Sequence, residues 1–178
     1  YEIGARLVGS EMCIRDRSMR YDLTVANTSN VPLESFFWHD KIPYDVARPM
    51  TLTTGTYSAR LNYRILYKTN YNASYQVLAS NLLTSNNYSF SLNAIPMQAG
   101  EVVTDIYFDF GKVPVGFQST ANPTLSVMVN GNAVNGYYMV NRADVGGKYQ
   151  GTWQTATASW VTIIRRLWNT PTLPKTGY

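Results

Sequence analysis

The chain has 178 residues, 45% of them hydrophobic and 15% charged, which is enough to bury one core and too apolar for a disordered tail. Its formal charge of +4 comes from Lys and Arg dispersed along the chain, apart from the pair Arg165-Arg166, so there is no continuous basic stripe for a nucleic acid and none is expected as a partner. Cys13 is the only cysteine, which excludes an intramolecular disulfide and a cysteine-built zinc cluster.

Fourteen tyrosines, four tryptophans and abundant Asn and Thr, with no long run rich in Ala, Glu, Lys and Leu, predict an all-β protein. No stretch approaches the roughly 20 apolar residues that span a bilayer, and the first residues lack the pattern of an export signal. For an exported protein, both absences imply a sequence truncated at both ends.

Residues 1–17 carry Glu2, Arg6, Glu11, Arg15, Asp16 and Arg17 without sustained periodicity. The string from Ser10 to Arg17 resembles translated sequencing-adapter sequence, which makes residues 1–17 a non-native or artefactual leader outside the fold and leaves Cys13 without a function. From Tyr21 to Ala26 apolar and polar residues alternate, as a strand buried on one face requires. A turn rich in Asn, Ser and Pro follows at Asn27 to Pro32. Strands are predicted at Phe36–Asp40 and Met50–Thr54, with Pro43 and Pro49 marking the loop between them.

Leu61, Tyr63, Ile65 and Tyr67 share one face of the next strand. Tyr75–Leu83 and Tyr88–Leu92 continue the pattern, joined by Thr84-Ser85-Asn86-Asn87 as a hairpin turn. Between Val102 and Phe110, Asp105, Tyr107 and Asp109 oppose Val102, Thr104, Ile106, Phe108 and Phe110, and Gly111 is expected to end the strand. Further strands are predicted at Leu125–Val129, Tyr137–Arg142 and Trp160–Leu167. In Asn141 to Gly147 a strand passes into a tight turn whose glycines supply positive φ. About ten short strands with regular turn signals make an antiparallel β-sandwich the expected fold. Asn169-Thr170-Pro171-Thr172 reads as an extended spacer.

The spacer leads to Leu173-Pro174-Lys175-Thr176-Gly177. This segment resembles the Leu-Pro-any-Thr-Gly sorting signal of proteins anchored to Gram-positive cell walls. Pro174 fixes φ and lowers the ordering cost of entering a groove, while Leu173 offers an apolar anchor. The resemblance implies that a sortase cysteine attacks the Thr176 carbonyl and releases everything from Gly177 onward. The acyl-enzyme then passes Thr176 to an amine of the peptidoglycan precursor, so this chain is substrate rather than catalyst. Lys175 fills the unspecified position. The usual signal continues into an apolar membrane segment and basic residues, so any membrane contact would run through a missing C-terminal segment.

Tyr21-Asp22-Leu23-Thr24-Val25-Ala26-Asn27-Thr28, followed by Phe37-Trp38-His39-Asp40-Lys41-Ile42-Pro43, resembles the opening of DUF11-like conserved-repeat domains. These are extracellular Ig-like β-sandwich modules that build the stalks of surface proteins and adhesins. Residues 51–168 depart from one short repeat in length. Some wall-anchored sandwiches also carry a Lys-to-Asn amide bond assisted by a buried acid. Lys41, Lys68, Lys112 and Lys148 are available for one, but no spacing singles out a trio.

Other candidate chemistry reads as structural. His39 and Asp40 are adjacent on a strand and point to opposite faces, so they cannot orient one another as a triad requires, and His39 is expected at a strand end. Asp105 and Asp109, with Glu101 at the same spacing, lie roughly 13 Å apart at the backbone. A glycosidase pair needs about 5 to 9.5 Å, which makes a solvated face the expectation. No calcium-loop motif is present and no metal or cofactor is expected. Tyr137, Tyr138, Trp153 and Trp168 could stack on sugar rings.

The sequence therefore divides into a leader (1–17), a β-sandwich surface domain (18–168) and a spacer with sorting motif (169–178). The expected function is a non-enzymatic stalk or adhesin-type module, extracellular and anchored to the cell wall, with sortase and a wall amine as partners. The alternatives are an adhesin domain that binds a host glycan or protein, and a secreted hydrolase.

Overall fold

The computed structural model describes residues 4–9, 12–14 and 17–165. In chain order the strands are β1 (Gly4–Val8), β2 (Met12–Ile14), β3 (Ser18–Ala26), β4 (Leu33–Lys41), β5 (Ala47–Thr53), β6 (Thr56–Tyr57) and β7 (Asn62–Thr69). They continue with β8 (Gln76–Leu83), β9 (Ser89–Ser91), β10 (Val103–Val113), β11 (Ser119–Ala121), β12 (Thr124–Val129), β13 (Tyr138–Tyr149) and β14 (Thr152–Arg165). One sheet runs β1-β3-β12-β5-β9 and the other β2-β14-β13-β4-β10-β7-β8, with a short β11-β6 pair between elements. Described pairings are antiparallel except β14 with β2. The fold is an antiparallel β-sandwich, as the alternation predicts.

One face of each sheet supplies the core. Tyr21, Leu23 and Val25 of β3 meet Phe36 and Trp38 of β4 and Ile106, Phe108 and Phe110 of β10 in a single buried cluster. Trp38 stacks on Phe108 with ring centroids 4.3 Å apart. Tyr63, Phe110, Phe117 and Tyr57 extend the aromatic packing toward the β6–β11 end. The loop after β3 is fixed by buried Asn27. Its Nδ2 donates to the carbonyls of Val31 (3.0 Å) and Pro114 (3.1 Å), and its Oδ1 accepts from the Ser29 amide (3.1 Å) and hydroxyl (2.6 Å).

The architecture departs from the sequence reading at several places, each with a local reason. Residues set aside as leader include β1, whose register on β3 runs from Gly4↔Ala26 to Val8↔Asp22, with Leu7 buried. The turn at Thr84–Asn87 is not a hairpin, because β8 and β9 belong to different sheets and the chain crosses between layers there. Pro49 lies inside β5 rather than in a loop. It falls opposite Val127 at a register irregularity, where a missing N–H is tolerated. Gly111 does not end its strand; at φ +65 it makes a bulge within β10. Gly146 and Gly147 are not turn glycines, for both sit in β13 with no positive φ. A Cβ on Gly146 would lie 2.6 Å from the Phe37 ring, and one on Gly147 would lie 2.9 Å from Leu33 Cβ. Their smallness serves close strand packing.

Beneath this packing lies a buried acid. Asp40 is fully buried on the inner face of β4, and Asn141 Nδ2 donates to its Oδ2 at 3.1 Å. The other oxygens of the pair, Asp40 Oδ1 and Asn141 Oδ1, are buried without a partner. Burial pushes the Asp40 carboxyl up to about 7, with the nearby Asp105 charge adding to the rise against the Asn141 hydrogen bond. A folded-state value above the ordinary carboxylate range means the native state holds a proton that the unfolded chain releases. This contribution to stability is complete below about pH 4 and is lost as pH rises through about 7. Urea midpoints should therefore fall between pH 5 and pH 8 for the wild type and fall less for Asp40→Asn. An equal fall in both proteins would exclude Asp40 as the source.

Candidate functional site

The outer face of the seven-stranded sheet gathers the side chains that the core does not use. A positive φ at Ser35 breaks the start of β4, after which Phe36, Trp38 and Asp40 turn inward and Phe37 and His39 outward. Asp105, Tyr107 and Asp109 face outward on β10, where Tyr107 lies opposite His39 and Asp109 opposite Phe37. On the other flank Gly146 and Asp144 of β13 oppose Phe37 and His39. Gly146 leaves room for the Phe37 ring to lie across β13.

The rings form a row across five strands and the start of β8. Trp153 meets Phe37 edge to face at 5.8 Å, and Phe37 stacks on Tyr107 at 5.0 Å with 13° between planes. Tyr107 is followed by Tyr75 at 5.2 Å, with His39 packed beside both. A lysine caps each end, Lys148 Nζ 4.7 Å from the Trp153 ring and Lys68 Nζ 4.2 Å from Tyr75. Such contacts hold aromatic groups at a surface at little entropic cost.

Fixed polar groups border the row. His39 Nε2 and Asp105 Oδ1 are 2.6 Å apart, and Thr104 Oγ1 donates to Asp105 Oδ2 at 2.6 Å. Burial acts to raise the Asp105 carboxyl. Hydrogen bonds from His39 and Thr104 and the charges of His39 and Lys68 outweigh it and hold the group below its ordinary range. Arg64 Nε donates to Asp109 Oδ2 at 2.9 Å, and Thr157 Oγ1 to Asp144 Oδ1 at 2.6 Å. Burial and the Asp105 charge push the Tyr75 hydroxyl up to about 12, so it stays a neutral hydrogen-bonding group at physiological pH. Beyond Asp109 the bulges at Gly111 (φ +65) and Asn81 (φ +55) open a cavity of 270 Å³ that Asn62 and Arg64 also line. The face can stack on a ring or a sugar and hold it with oriented donors and acceptors.

Several sequence-predicted sites fall elsewhere. Leu173, Pro174, Lys175, Thr176 and Gly177 lie outside the described residues, as does Trp168. Trp153 heads the aromatic row. Tyr138 shares its side of the sheet but stands on β13 ten residues before Lys148, the partner of Trp153, which is about 33 Å along the strand. Tyr137 donates its hydroxyl to Asp45 at 2.9 Å. One small ligand cannot bridge Trp153 and either of these tyrosines.

His39 stands two residues before the end of β4, paired on both flanks with Tyr107 and Asp144, and Asp105 is not a solvated carboxylate but a half-buried partner of that imidazole. Asp109 is paired with Arg64, whereas Glu101 accepts from Thr69 Oγ1 at 2.6 Å and the Gln98 amide at 3.0 Å. Asn141 has a buried acid beside it, but among the described residues no lysine is buried, so the trio for an internal amide bond is not assembled there. No group of three metal-ligating side chains occurs among the described residues. Nor is any helix among them long and apolar enough to cross a membrane. The sequence alone does not mark Phe37, Tyr107, Tyr75 and the His39–Asp105 pair as a site, although the alternation places Phe37 with His39 and Tyr107 with Asp105.

No protein-family model and no curated protein sequence matches the chain. Solved structures do overlap it, among them three that cover most of its length. The cohesin module of a family 33 glycoside hydrolase from Clostridium perfringens is 6% identical, covers 93% of this chain and 98% of its own, and gives a TM-score of 0.46. AvmM, which catalyses macrocyclization in alchivemycin A biosynthesis, is 8% identical over 90% of this chain and 88% of its own, with a TM-score of 0.40. AggA, the major subunit of aggregative adherence fimbriae type I from Escherichia coli, is 12% identical over 94% and 97%, with a TM-score of 0.35. Overlap of this degree carries no argument about what the chain does.

Proposed function

We propose that this chain is a non-enzymatic stalk or adhesin-type module of a bacterial surface protein, joined to peptidoglycan by sortase cleavage between Thr176 and Gly177. The observation that carries the reading is the segment Leu173-Pro174-Lys175-Thr176-Gly177, C-terminal to Arg165 at the end of β14. An antiparallel sandwich with a continuous aromatic core is a rigid unit suited to spacing a distal domain from a surface. A transpeptidase needs an accessible, extended peptide, and the Pro-containing sequence 169–174 favours that conformation. Purified chain incubated with sortase and an oligoglycine nucleophile should give an adduct at Thr176, and Pro174→Ala should abolish it. Absence of ligation with the wild type contradicts the anchoring reading.

The aromatic row favours a second reading, in which the same module binds a glycan. Sugars present C–H faces to rings and hydroxyls to carboxylates, and both kinds of group stand together along Trp153, Phe37, Tyr107 and Asp109. On a glycan array the wild type should retain ligands that Trp153→Ala binds several-fold more weakly. An array on which the wild type retains nothing favours the passive stalk.

A further inference from the structure

Two interruptions of regular pairing meet at one place on the outer face of the large sheet. The register of β10 on β4 shifts between Asp109 and Gly111, where Gly111 takes φ +65. In β8 the two residues Ser80 and Asn81 oppose the single residue Arg64 of β7, and Asn81 takes φ +55. Positive φ is uncommon outside glycine, and Asn is among the few residues that adopt it readily. Bulges bend a strand and re-aim its side chains. These two stand on either side of β7, so the 270 Å³ cavity opens above Asn62 and Arg64.

The polar groups that line the cavity are only partly occupied with one another. Asp109 Oδ2 accepts from Arg64 Nε at 2.9 Å and its Oδ1 from the Gly111 amide at 3.2 Å, so both carboxylate oxygens are fixed and each keeps a further lone pair. The ion pair uses one guanidinium N–H, which leaves the Nη donors of Arg64 available. Among the described residues nothing bonds to the side chains of Asn62, Ser80 and Asn81. Oriented acceptors thus stand beside oriented donors, a set that matches neighbouring hydroxyls, since each hydroxyl both donates and accepts. The two charges of the cavity cancel, so an anionic ligand would be drawn by Arg64 and repelled by Asp109 alike. The volume falls just below the roughly 300–1,000 Å³ of pockets that enclose drug-sized ligands, which suits one sugar ring.

We propose that this cavity is a subsite for one neutral hexopyranose ring of a glycan, held through two adjacent hydroxyls by Asp109, Arg64 and the amides of Asn62 and Asn81. The proposal rests on the glycan-binding reading of the aromatic row, and adds to it the charge class of the ligand and a second point of attachment. Asp109 lies opposite Phe37 on one flank and Arg64 on the other. At about 4.8 Å per strand, Arg64 is therefore about 10 Å from Phe37. A short oligosaccharide laid across the strands reaches the row and the cavity together.

The test is an array of neutral hexose oligosaccharides printed beside uronate-bearing ones. The wild type should retain neutral chains. Asp109→Asn keeps the shape of the side chain but removes the charged acceptor, and should weaken that retention about tenfold or more. Arg64 is then unopposed, so the same variant should hold uronate chains more tightly than the wild type does, a gain that misfolding would not give. Asn81→Gly preserves the positive φ while removing the amide, and should weaken neutral chains about fivefold. A wild type that retains no glycan contradicts the glycan reading and the subsite with it. Neutral chains that Trp153→Ala weakens while Asp109→Asn and Asn81→Gly leave them unchanged overturn the subsite alone, as does a wild type that prefers uronate chains.

Discussion

Trp38 lies on Phe108 with its indole buried and its centroid 4.3 Å from the neighbouring ring, and the arrangement of both faces of the large sheet depends on this contact. β4 sits between β13 and β10, so seating Trp38 inward fixes the direction of every second residue on the central strand. Phe36 and Asp40 must then point inward as well, and Phe37 and His39 outward. A slip of one residue would drive His39 into the core and expose the indole. The burial of one side chain therefore decides both the register of the core and the composition of the surface.

That surface is organised rather than merely polar. Phe37 and Tyr107 stack, lysines cap the row, and each of Asp105, Asp109 and Asp144 is held by a neighbouring side chain. The charges are thus oriented before any ligand arrives, which lowers the cost of binding.

The sequence was most readable where one face is buried and the other wet. The β10 alternation of Asp105, Tyr107 and Asp109 against Ile106, Phe108 and Phe110 is visible in the letters and present in the strand. It was least readable where tertiary neighbours overrule local preference. Gly146 and Gly147 look like a turn, yet they are flat strand because Phe37 and Leu33 fill the space a side chain would need. Pro49 looks like a loop and sits at an irregularity in a sheet. Only the second half of β14 is legible, because Thr152 to Ser159 alternates Thr and Ser with Ala, a pattern with little hydrophobic contrast. The candidate face stayed hidden for another reason: alternation tells which residues share one strand's face, but only register tells that Tyr107 stands opposite His39 and Asp109 opposite Phe37. No local signal carries that information.

The division of labour across β4 is open to one direct measurement, the unfolding free energy of substitutions on its two faces. Trp38→Ala empties the centre of the core and should cost about 3–5 kcal/mol. Phe37→Ser removes a half-buried ring with its contacts to Tyr107 and Trp153, and should cost less, about 1–3 kcal/mol. Equal losses, or a larger loss at Phe37, would contradict the account of a strand whose inner residues hold the fold and whose outer residues are free to serve it.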